Sequence, residues 1–234
     1  MKYVKKAGAP HDYRKWCRSV KATSKSDYRE MPSSIKALIH AALVNEQGEI
    51  CAYTMRRIDT KTSHIEHIKP QSLCRNEGDG GDLDYLNMVA CFPRKGMIST
   101  CRYGAHKKGD WWVPELFVSP LHRSCESHFR FMPDGKISSA SGDEAAMSTV
   151  QVLGLNDAVL IEDRARAIRE FIYGPSGSEP LRMREASRLR SQVCARSGGR
   201  FTEFCIALRD ALDDHIKFVD RLARKKAFVR KKGR

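Results

Sequence analysis

The stretch HIEHIKP at residues 64–70 constrains this chain more than any other feature, because it joins an alternating pattern to an abrupt stop. In an extended segment, successive side chains point to opposite faces. His64 and Glu66 are therefore expected on one face and His67 on the other. Pro70 favours a turn after His67. We expect that turn to bring the Glu66 carboxylate and the His67 imidazole together.

Two further polar side chains follow at positions that suit a common site. Residues 76–85, NEGDGGDLDY, are rich in glycine and aspartate and are predicted to form a loop. Asn87 follows this loop in DYLNMVAC, and an amide there is able to fix the tautomer and orientation of a neighbouring imidazole. His106 lies in GAHKKGDWW, where a helix is expected to begin. Its imidazole is a suitable second ligand, beside Glu66, for a hard cation.

These residues fit one reaction, the hydrolysis of a phosphodiester at neutral pH. The reaction requires an activated water, stabilisation of a phosphorane-like state and neutralisation of the leaving oxygen. A histidine base supplies the first, and one divalent cation supplies the other two. Taken singly, each feature has an ordinary explanation: a chance His-x-Glu-His, a turn residue at Asn87 and a surface histidine at His106. Their order along one chain is what favours a nuclease site.

The charge of the chain indicates the class of its partner. A formal net charge of +14 and a pI of about 9.6 favour a polyanion, because Lys and Arg displace counterions that condense on phosphates. A solvated basic surface is the alternative. The C-terminal ARKKAFVRKKGR is expected to fray into solvent and to contact phosphates through Lys225, Lys226 and Arg230. A solubilising tail, or one that binds an acidic protein surface, is the alternative there.

The location of the protein is also constrained. No run of about 18 apolar residues is present, which argues against a membrane span. The basic N-terminus MKYVKKAGAPHDYRKW lacks the apolar core of a secretion signal, so a cytoplasmic protein is expected.

Eight cysteines are not expected to form a disulfide framework in that compartment. Some should be buried, whereas Cys51, Cys91 and Cys101 flank the histidine-rich region and are candidate metal ligands.

The first part of the chain mixes polar and helical patterns. Residues 1–30 are basic with interspersed aromatic rings, which is typical of either a docking arm or a partly helical cap. A helix is predicted from Ser33 or Ser34 to Gly48, because apolar residues recur there at helical spacing. Residues 49–58 are predicted to form a short strand with a turn.

The second part of the chain is mainly helical. A hairpin is predicted at 129–137, where Pro-Asp-Gly supplies the turn. Four helices are then predicted, in DEAAMSTVQVLGL, NDAVLIEDRARAIREFIY, REASRLRSQVCAR and TEFCIALRDALDDHIKFVDRLARKKAF. Asn156 and Asp157 are expected to cap the second of them.

The chain resembles the HNH, or ββα-metal, nucleases, whose signature is Glu-His, then Asn, then His. The resemblance is stronger to the PtuB-like HNH subunits of Septu and retron-associated anti-phage systems. That family has the pattern CAYC…HIEHxxP…W/Y-x-N-L…C…C-G-x-x-K, then DCExxFRF-DGKI and LGLN. The corresponding text is CAYT at 51–54, HIEHIKP at 64–70, DYLNMVAC at 84–91, CRYGAHKKGD at 101–110, SCESHFRFMPDGKI at 124–137 and LGLN at 153–156. The match spans roughly residues 48–172 in unbroken order.

The resemblance implies an α+β protein, with a small ββα-metal core embedded in a mainly helical body. Combined with the patterns along the chain, the resemblance divides it into an N-terminal arm and helix at 1–47, a nuclease core with its following hairpin at 48–140, and a helical region with a basic tail at 141–234. Within the core it implies His67 as general base and Asn87 as the residue that orients it.

The resemblance further implies a catalytic cation, Mg²⁺ or Mn²⁺, held by Glu66 and His106. His64 would be a supporting residue or an additional ligand. Lys107 and Lys108 would contact the substrate phosphate.

The implied function is that of an endonuclease effector in anti-phage defence. The substrate would be nucleic acid, DNA foremost, with RNA not excluded. An ABC/SMC-like ATPase (PtuA-like) is the implied partner, together with a retron reverse transcriptase and its RNA–DNA product. The N-terminal arm and the helical C-terminal third are the candidate docking surfaces. The alternative is a non-catalytic nucleic-acid-binding subunit with a vestigial HNH fold.

This chain departs from the family pattern at its cysteines. Family members have CxxC where this chain has Cys51 and Thr54, so Cys51, Cys91 and Cys101 remain of four. A structural zinc ion prefers four tetrahedral ligands, and a threonine hydroxyl is a poor one. Structural zinc is therefore expected to be absent or sub-stoichiometric, unless a nearby histidine or Cys74 substitutes. CRYGAHKK also carries two residues more than the family's CG spacing, which weakens the placement of His106.

Overall fold

The computed structural model describes residues 1–21, 27–174, 176–177 and 179–232, without the side chains of Lys21 and of residues 230–232. The helices are α1 His11–Lys21, α2 Ser33–Glu46, α3 Gln71–Glu77, α4 Ala105–Lys108, α5 Glu144–Val152, α6 Ala158–Tyr173, α7 Met183–Gln192 and α8 Cys205–Lys232. The strands are β1 His64–His67, β2 Met88–Cys91, β3 Phe129–Phe131 and β4 Ile137–Ser139. The protein is mixed helix and small antiparallel sheets, which agrees with the predicted α+β class.

Strands β1 and β2 form a two-stranded antiparallel sheet that carries the histidine-rich stretch. We call this sheet the β1–β2 hairpin, and its long connection contains α3. The two strands pair antiparallel, with His64 opposite Cys91 and His67 opposite Met88. Helix α2 packs against β2 and buries Ile39 and Leu43 completely. The helix lies where its apolar spacing predicts, but Pro32 and not a serine occupies the N-cap position, without a side-chain hydrogen bond. The hairpin therefore has a fixed hydrophobic support on one side.

The second hairpin, β3 and β4, lies in the chain between the region of β1 and β2 and the C-terminal helices. Phe131 and Ile137 are buried and directly paired, which confirms the predicted hairpin. Asp157 caps α6 by accepting from the Val159 N–H, as expected. Asn156 was expected to cap as well, but its amide instead brackets the backbone of Ile137 at 2.9 and 2.8 Å. It therefore ties the strand to the helix start.

The N-terminal segment is part of the core. Met1, Val4 and Tyr13 are buried, and the Val4 N–H donates to the Pro120 carbonyl at 2.8 Å. The Tyr13 hydroxyl donates to the carbonyl of Leu83, in the glycine-rich loop. The segment is partly helical, as one of its two interpretations predicts. Its role as a docking surface stays a prediction, since Tyr3, Trp16 and Tyr28 are only partly buried.

Two predictions about regular structure are wrong. Residues 49–58 form turns with a single bridge between Ile50 and Arg57, because Met55 has a positive φ of 62° that reverses the chain. The basic C-terminal segment does not fray before Lys232, because no Pro or Gly interrupts α8. The last two residues of that segment lie outside the described residues.

None of the described helices is both long enough and apolar enough to span a bilayer.

Candidate active site

Four of the predicted site residues, His64, Glu66, His67 and His106, line one cavity of about 380 Å³ beside the β1–β2 hairpin. The alternation of β1 sends His64 and Glu66 to one face of the hairpin. The strand ends at His67, and Pro70 immediately precedes helix α3. The cavity lining consists of His64, Ile65, Glu66, His67, Pro70, Gln71, Ser72, Arg75, Lys95, Ala105, His106, Gly109 and Asp110. One short strand and two short helices therefore supply most of the chemistry.

His67 is held in one tautomer at the edge of this cavity. Its Nε2 lies 2.9 Å from the carbonyl oxygen of Asp82, and since a carbonyl only accepts, Nε2 carries the proton. Its Nδ1 accepts from the Gln71 amide at 3.0 Å. The edge of the Tyr28 ring packs on the imidazole, which is 4 % exposed. Burial lowers the pKa of His67 to about 4, so the ring is neutral at pH 7 with its free lone pair on Nδ1.

Asn87 does not contact the imidazole, contrary to the expected direct contact. Its Oδ1 accepts from the Lys69 N–H at 2.8 Å, and its Nδ2 donates to the carbonyls of Lys69 and Gly81 at 3.0 and 2.9 Å. The amide therefore bridges the turn after His67 to the glycine-rich loop. Because Asp82 follows Gly81, this bridge also fixes the carbonyl that holds the imidazole of His67. Asn87 positions His67 through the backbone.

Glu66 is paired with a lysine that was expected to face the substrate. The Lys108 Nζ lies 3.2 Å from Glu66 Oε1 and 3.3 Å from the His67 carbonyl. Lys108 is buried and faces Glu66 rather than solvent, which does not favour the predicted phosphate contact. Burial raises the pKa of Glu66 to about 7, and the Lys108 charge acts in the opposite direction. The carboxylate is therefore poised between its two protonation states at neutral pH.

His64 and His106 share one backbone acceptor. His64 Nδ1 lies 2.7 Å and His106 Nε2 3.0 Å from the Pro93 carbonyl oxygen, so each of these nitrogens donates. The bare nitrogens are then His64 Nε2 and His106 Nδ1, and the two rings are 5.2 Å apart. Burial lowers the pKa of His64 to about 4, which keeps its Nε2 available as a ligand atom.

The donor types of this set suit a divalent cation, although no three His, Cys, Asp or Glu side chains of the described residues are close enough here to enclose one. Histidines that bind a metal usually donate their second N–H to a backbone carbonyl or a carboxylate, as both histidines do here. His64 Nε2 lies 4.0 Å from Glu66 Oε2, and two atoms each about 2.1 Å from one ion are at most about 4.2 Å apart. Two imidazoles and a carboxylate favour Mn²⁺ or another transition metal over Mg²⁺. The cavity brings together all three predicted ligands, Glu66, His64 and His106.

The cysteine cluster holds no complete ligand set. Cys51 and Cys91 are buried side by side, and the Phe92 N–H donates to the Cys51 sulfur at 3.3 Å. Burial alone would raise the pKa of Cys51, but hydrogen bonds from Cys91, Thr54 and Phe92 lower it to about 6.

The remaining thiols do not complete this cluster. Cys101 contacts the Tyr103 carbonyl, and Cys74 contacts the Lys69 carbonyl and the Asn87 amide. Among the described residues, no group of three or more His, Cys, Asp or Glu side chains is already close enough to enclose a metal ion. The zinc content stays a prediction.

The other basic residues proposed for nucleic-acid contact lie apart from the cavity. Lys107 is exposed and lines a separate cleft beside Gln151 and Gly154. Lys225 and Lys226 are exposed on the last turns of α8, and the side chain of Arg230 lies outside the described part of the chain.

The structure adds cavity residues that sequence reasoning missed, namely Gln71, Arg75 and Lys95. Gln71 stands four residues after His67 and directly after Pro70. That spacing is the one signal in the sequence that points to Gln71. Arg75 and Lys95 carry no such signal, because they look like ordinary surface cations.

Comparison with known proteins gives one informative relative. No family model matches the chain. A protein of Vibrio cholerae serotype O1 biovar El Tor, named "Retron Vc95 putative HNH endonuclease", is 31 % identical over 145 residues. The match covers 59 % of this chain and 67 % of the relative. The name agrees with the HNH character and the retron context that the motifs imply.

Proposed function

The chain belongs to the family of the Vibrio cholerae retron Vc95 protein, and from this we propose that it is a metal-dependent HNH endonuclease that hydrolyses nucleic-acid phosphodiesters. The observation that carries the proposal is the tautomer of His67. Its N–H is committed to the Asp82 carbonyl, which leaves a neutral, hydrogen-bond-accepting nitrogen beside the Glu66 cavity. The proposed nuclease core is residues 48–140.

In the proposed mechanism His67 is the general base. A water that displaces the Gln71 amide from His67 Nδ1 gives its proton to that nitrogen and attacks the phosphorus in line, while the bond from phosphorus to the opposite oxygen breaks and that oxygen leaves as an alkoxide. The Asp82 carbonyl stabilises the imidazolium that forms, because it already accepts from Nε2. Asn87 holds the loop that presents this carbonyl.

Glu66, His64 and His106 are the proposed ligands of the cation, Mn²⁺ or Mg²⁺. When bound, a divalent cation supplies positive charge to the phosphorane-like state and to the leaving oxygen. Lys108 keeps Glu66 Oε1 occupied, so the second oxygen, Oε2, is the one that faces His64. The ion pair with Lys108 therefore orients the carboxylate and leaves Oε2 directed toward His64.

DNA is the proposed substrate, and RNA is the alternative. The test is incubation of the purified protein with supercoiled plasmid and with total RNA, in Mn²⁺, in Mg²⁺ and in EDTA. We expect metal-dependent cleavage that His67→Ala abolishes. Absence of cleavage under every condition, including with its partner present, would leave the non-catalytic nucleic-acid-binding alternative.

We further propose a role in anti-phage defence beside an ABC-type ATPase and retron components. The support is the family resemblance and the retron relative. Co-expression with the neighbouring ATPase gene tests it, since a stable complex should co-purify with the tagged chain. Cleavage measured with and without that ATPase then shows whether the partner restrains or activates the nuclease.

A further inference from the structure

A second cleft continues directly from the catalytic cavity. It measures about 440 Å³ and shares four lining residues with the cavity, namely His64, Ile65, Gln71 and Lys95. Its far side is formed by the start of α2, through Lys36 and His40, and by the segment after β2, through Arg94. The two depressions are therefore one continuous surface, with the proposed cleavage site at one end.

The charge of this second cleft is of one sign. Lys36, Arg94 and Lys95 line it, and no Asp or Glu is among its lining residues in the described part of the chain. Arg94 and Lys95 are exposed, and neither forms an ion pair with another described residue. The Lys36 ammonium contacts only neutral groups, the Arg29 carbonyl at 3.1 Å and the Tyr28 ring at 5.0 Å. The cleft thus offers three uncompensated cations to a ligand.

Arg75 gives an independent indication of what that ligand is. Its Nη1 is shielded from solvent and has no hydrogen-bond partner among the described residues. Arg75 lines the catalytic cavity, close to Glu66 and His67. A buried guanidinium N–H without an acceptor is costly, and an anionic oxygen in the cavity would remove that cost. The ligand is therefore expected to bring anionic oxygens both into the cavity and along the cleft.

We propose that the two clefts form a phosphate track, defined by Lys36, Arg75, Arg94 and Lys95, which binds one nucleic-acid strand. Arg75 binds the phosphate at the cleavage site, and Lys36 and Arg94 bind phosphates of the flanking nucleotides. The assignment of a scissile phosphate to Arg75 rests on the proposed nuclease function. Binding of the flanking strand by Lys36 and Arg94 does not require that function.

The test compares two variants that lose the same charge. The track variant is Lys36→Ala with Arg94→Ala, and the control is Arg123→Ala with Arg188→Ala, two exposed arginines that line neither cleft. Binding of fluorescent strands of about 20 nucleotides is measured in EDTA across a salt series. Each lost phosphate contact lowers the salt slope by about 0.7 on a single strand, so the track variant should lose about 1.4. At about 0.1 M salt this corresponds to roughly 20-fold weaker binding.

The outcomes separate the track from the nuclease. An unchanged slope in the track variant, or an equal loss in the control, overturns the track. Arg94→Ala alone, at an exposed position, should lower the slope by about 0.7, half of the change in the double variant, and serves if the double variant is unstable.

Hydrolysis of bis(4-nitrophenyl) phosphate, a diester without flanking nucleotides, should be the same in the control variant Arg123→Ala with Arg188→Ala and in wild type, and lost in His67→Ala. If the wild-type protein hydrolyses neither this diester nor nucleic acid, the nuclease proposal fails. The binding result still decides the track in that case.

Discussion

The Lys108 ammonium and the Glu66 carboxylate form an ion pair at 3.2 Å, with the lysine side chain wholly shielded from solvent. The two residues are 42 positions apart and meet because α4 packs beside β1. Removing one partner of a buried pair leaves the other charge uncompensated. The protonation state of Glu66, and with it cation binding, should therefore depend on Lys108.

Lys108→Met should weaken Mn²⁺ binding at pH 7. Without the lysine charge, the pKa of Glu66 rises further above its ordinary value, so more of the carboxyl is protonated at neutral pH. Calorimetric titration with Mn²⁺ should show lower affinity at pH 7 and recovery at higher pH. Lys107→Met is the matched control, because Lys107 is the adjacent lysine in the chain and lines a separate cleft. Equal losses in both variants would contradict an orienting role for Lys108.

The acid limb of the wild-type activity should report Glu66 and not His67. The pKa of Glu66 is about 7, so the carboxyl protonates as pH falls below 7 and cation binding is lost. The pKa of His67 is about 4, so the base stays neutral throughout that range. A pH–rate profile at low Mn²⁺ should decline below pH 7. Saturating Mn²⁺ should move the decline to lower pH, because metal and proton compete, and a decline independent of Mn²⁺ would argue against Glu66 as ligand.

His67→Ala should reduce cleavage about 10²- to 10⁴-fold, the usual contribution of a general base. Because His67 is buried, folding must be checked by thermal unfolding, and binding by anisotropy with the same labelled strand. Both should stay near wild type if the imidazole acts chemically. Cleavage near the wild-type rate would remove His67 from the base role.

Gln71→Glu should raise the pKa of the His67 imidazole. Gln71 donates to Nδ1 and so holds the neutral ring, whereas a carboxylate at the same place would accept from a protonated Nδ1. The NMR titration of the His67 ring protons measures this directly, and it does not depend on activity. Gln71→Ala, which removes the contact without adding charge, should change the pKa less. If the glutamate leaves the titration of His67 unaltered, the Gln71–His67 contact does not exist in solution.

Asn87→Ala should destabilise the protein by about 2–4 kcal/mol, because three hydrogen bonds to backbone groups disappear at roughly 1 kcal/mol each. Urea unfolding measures the change. Asn87→Asp keeps the acceptor for the Lys69 N–H but turns an anionic oxygen toward the carbonyls of Lys69 and Gly81, so its loss should be at least as large. Wild-type stability in the alanine variant would mean that the turn after His67 is held by other contacts.

Part of the candidate site could be predicted because it depends on local sequence patterns. The placement of His64 and Glu66 on one face follows from the alternation of any extended backbone, and Pro70 marks where β1 gives way to α3. The second hairpin was predicted from its turn residues for the same reason. The predicted strand at 49–58 was wrong because the positive φ of Met55, which reverses the chain, leaves no mark in a pattern of apolar residues.

The sequence by itself determined which residues were chemically able to act, and the tertiary structure decided which groups they touch. Lys107 and Lys108 are neighbours with the same side chain, yet one lines an outer cleft and the other pairs with Glu66. Successive residues of a helix point about 100° apart, so only one of two neighbours faces a given site, and the packing of α4 chooses which.

The partners of Asn87 and the phosphate track were likewise decided by the fold. Asn87 joins Lys69 and Gly81, and the track joins α2 to the segment after β2. Contacts between segments so far apart in the chain depend on how the whole core packs, which no local pattern records.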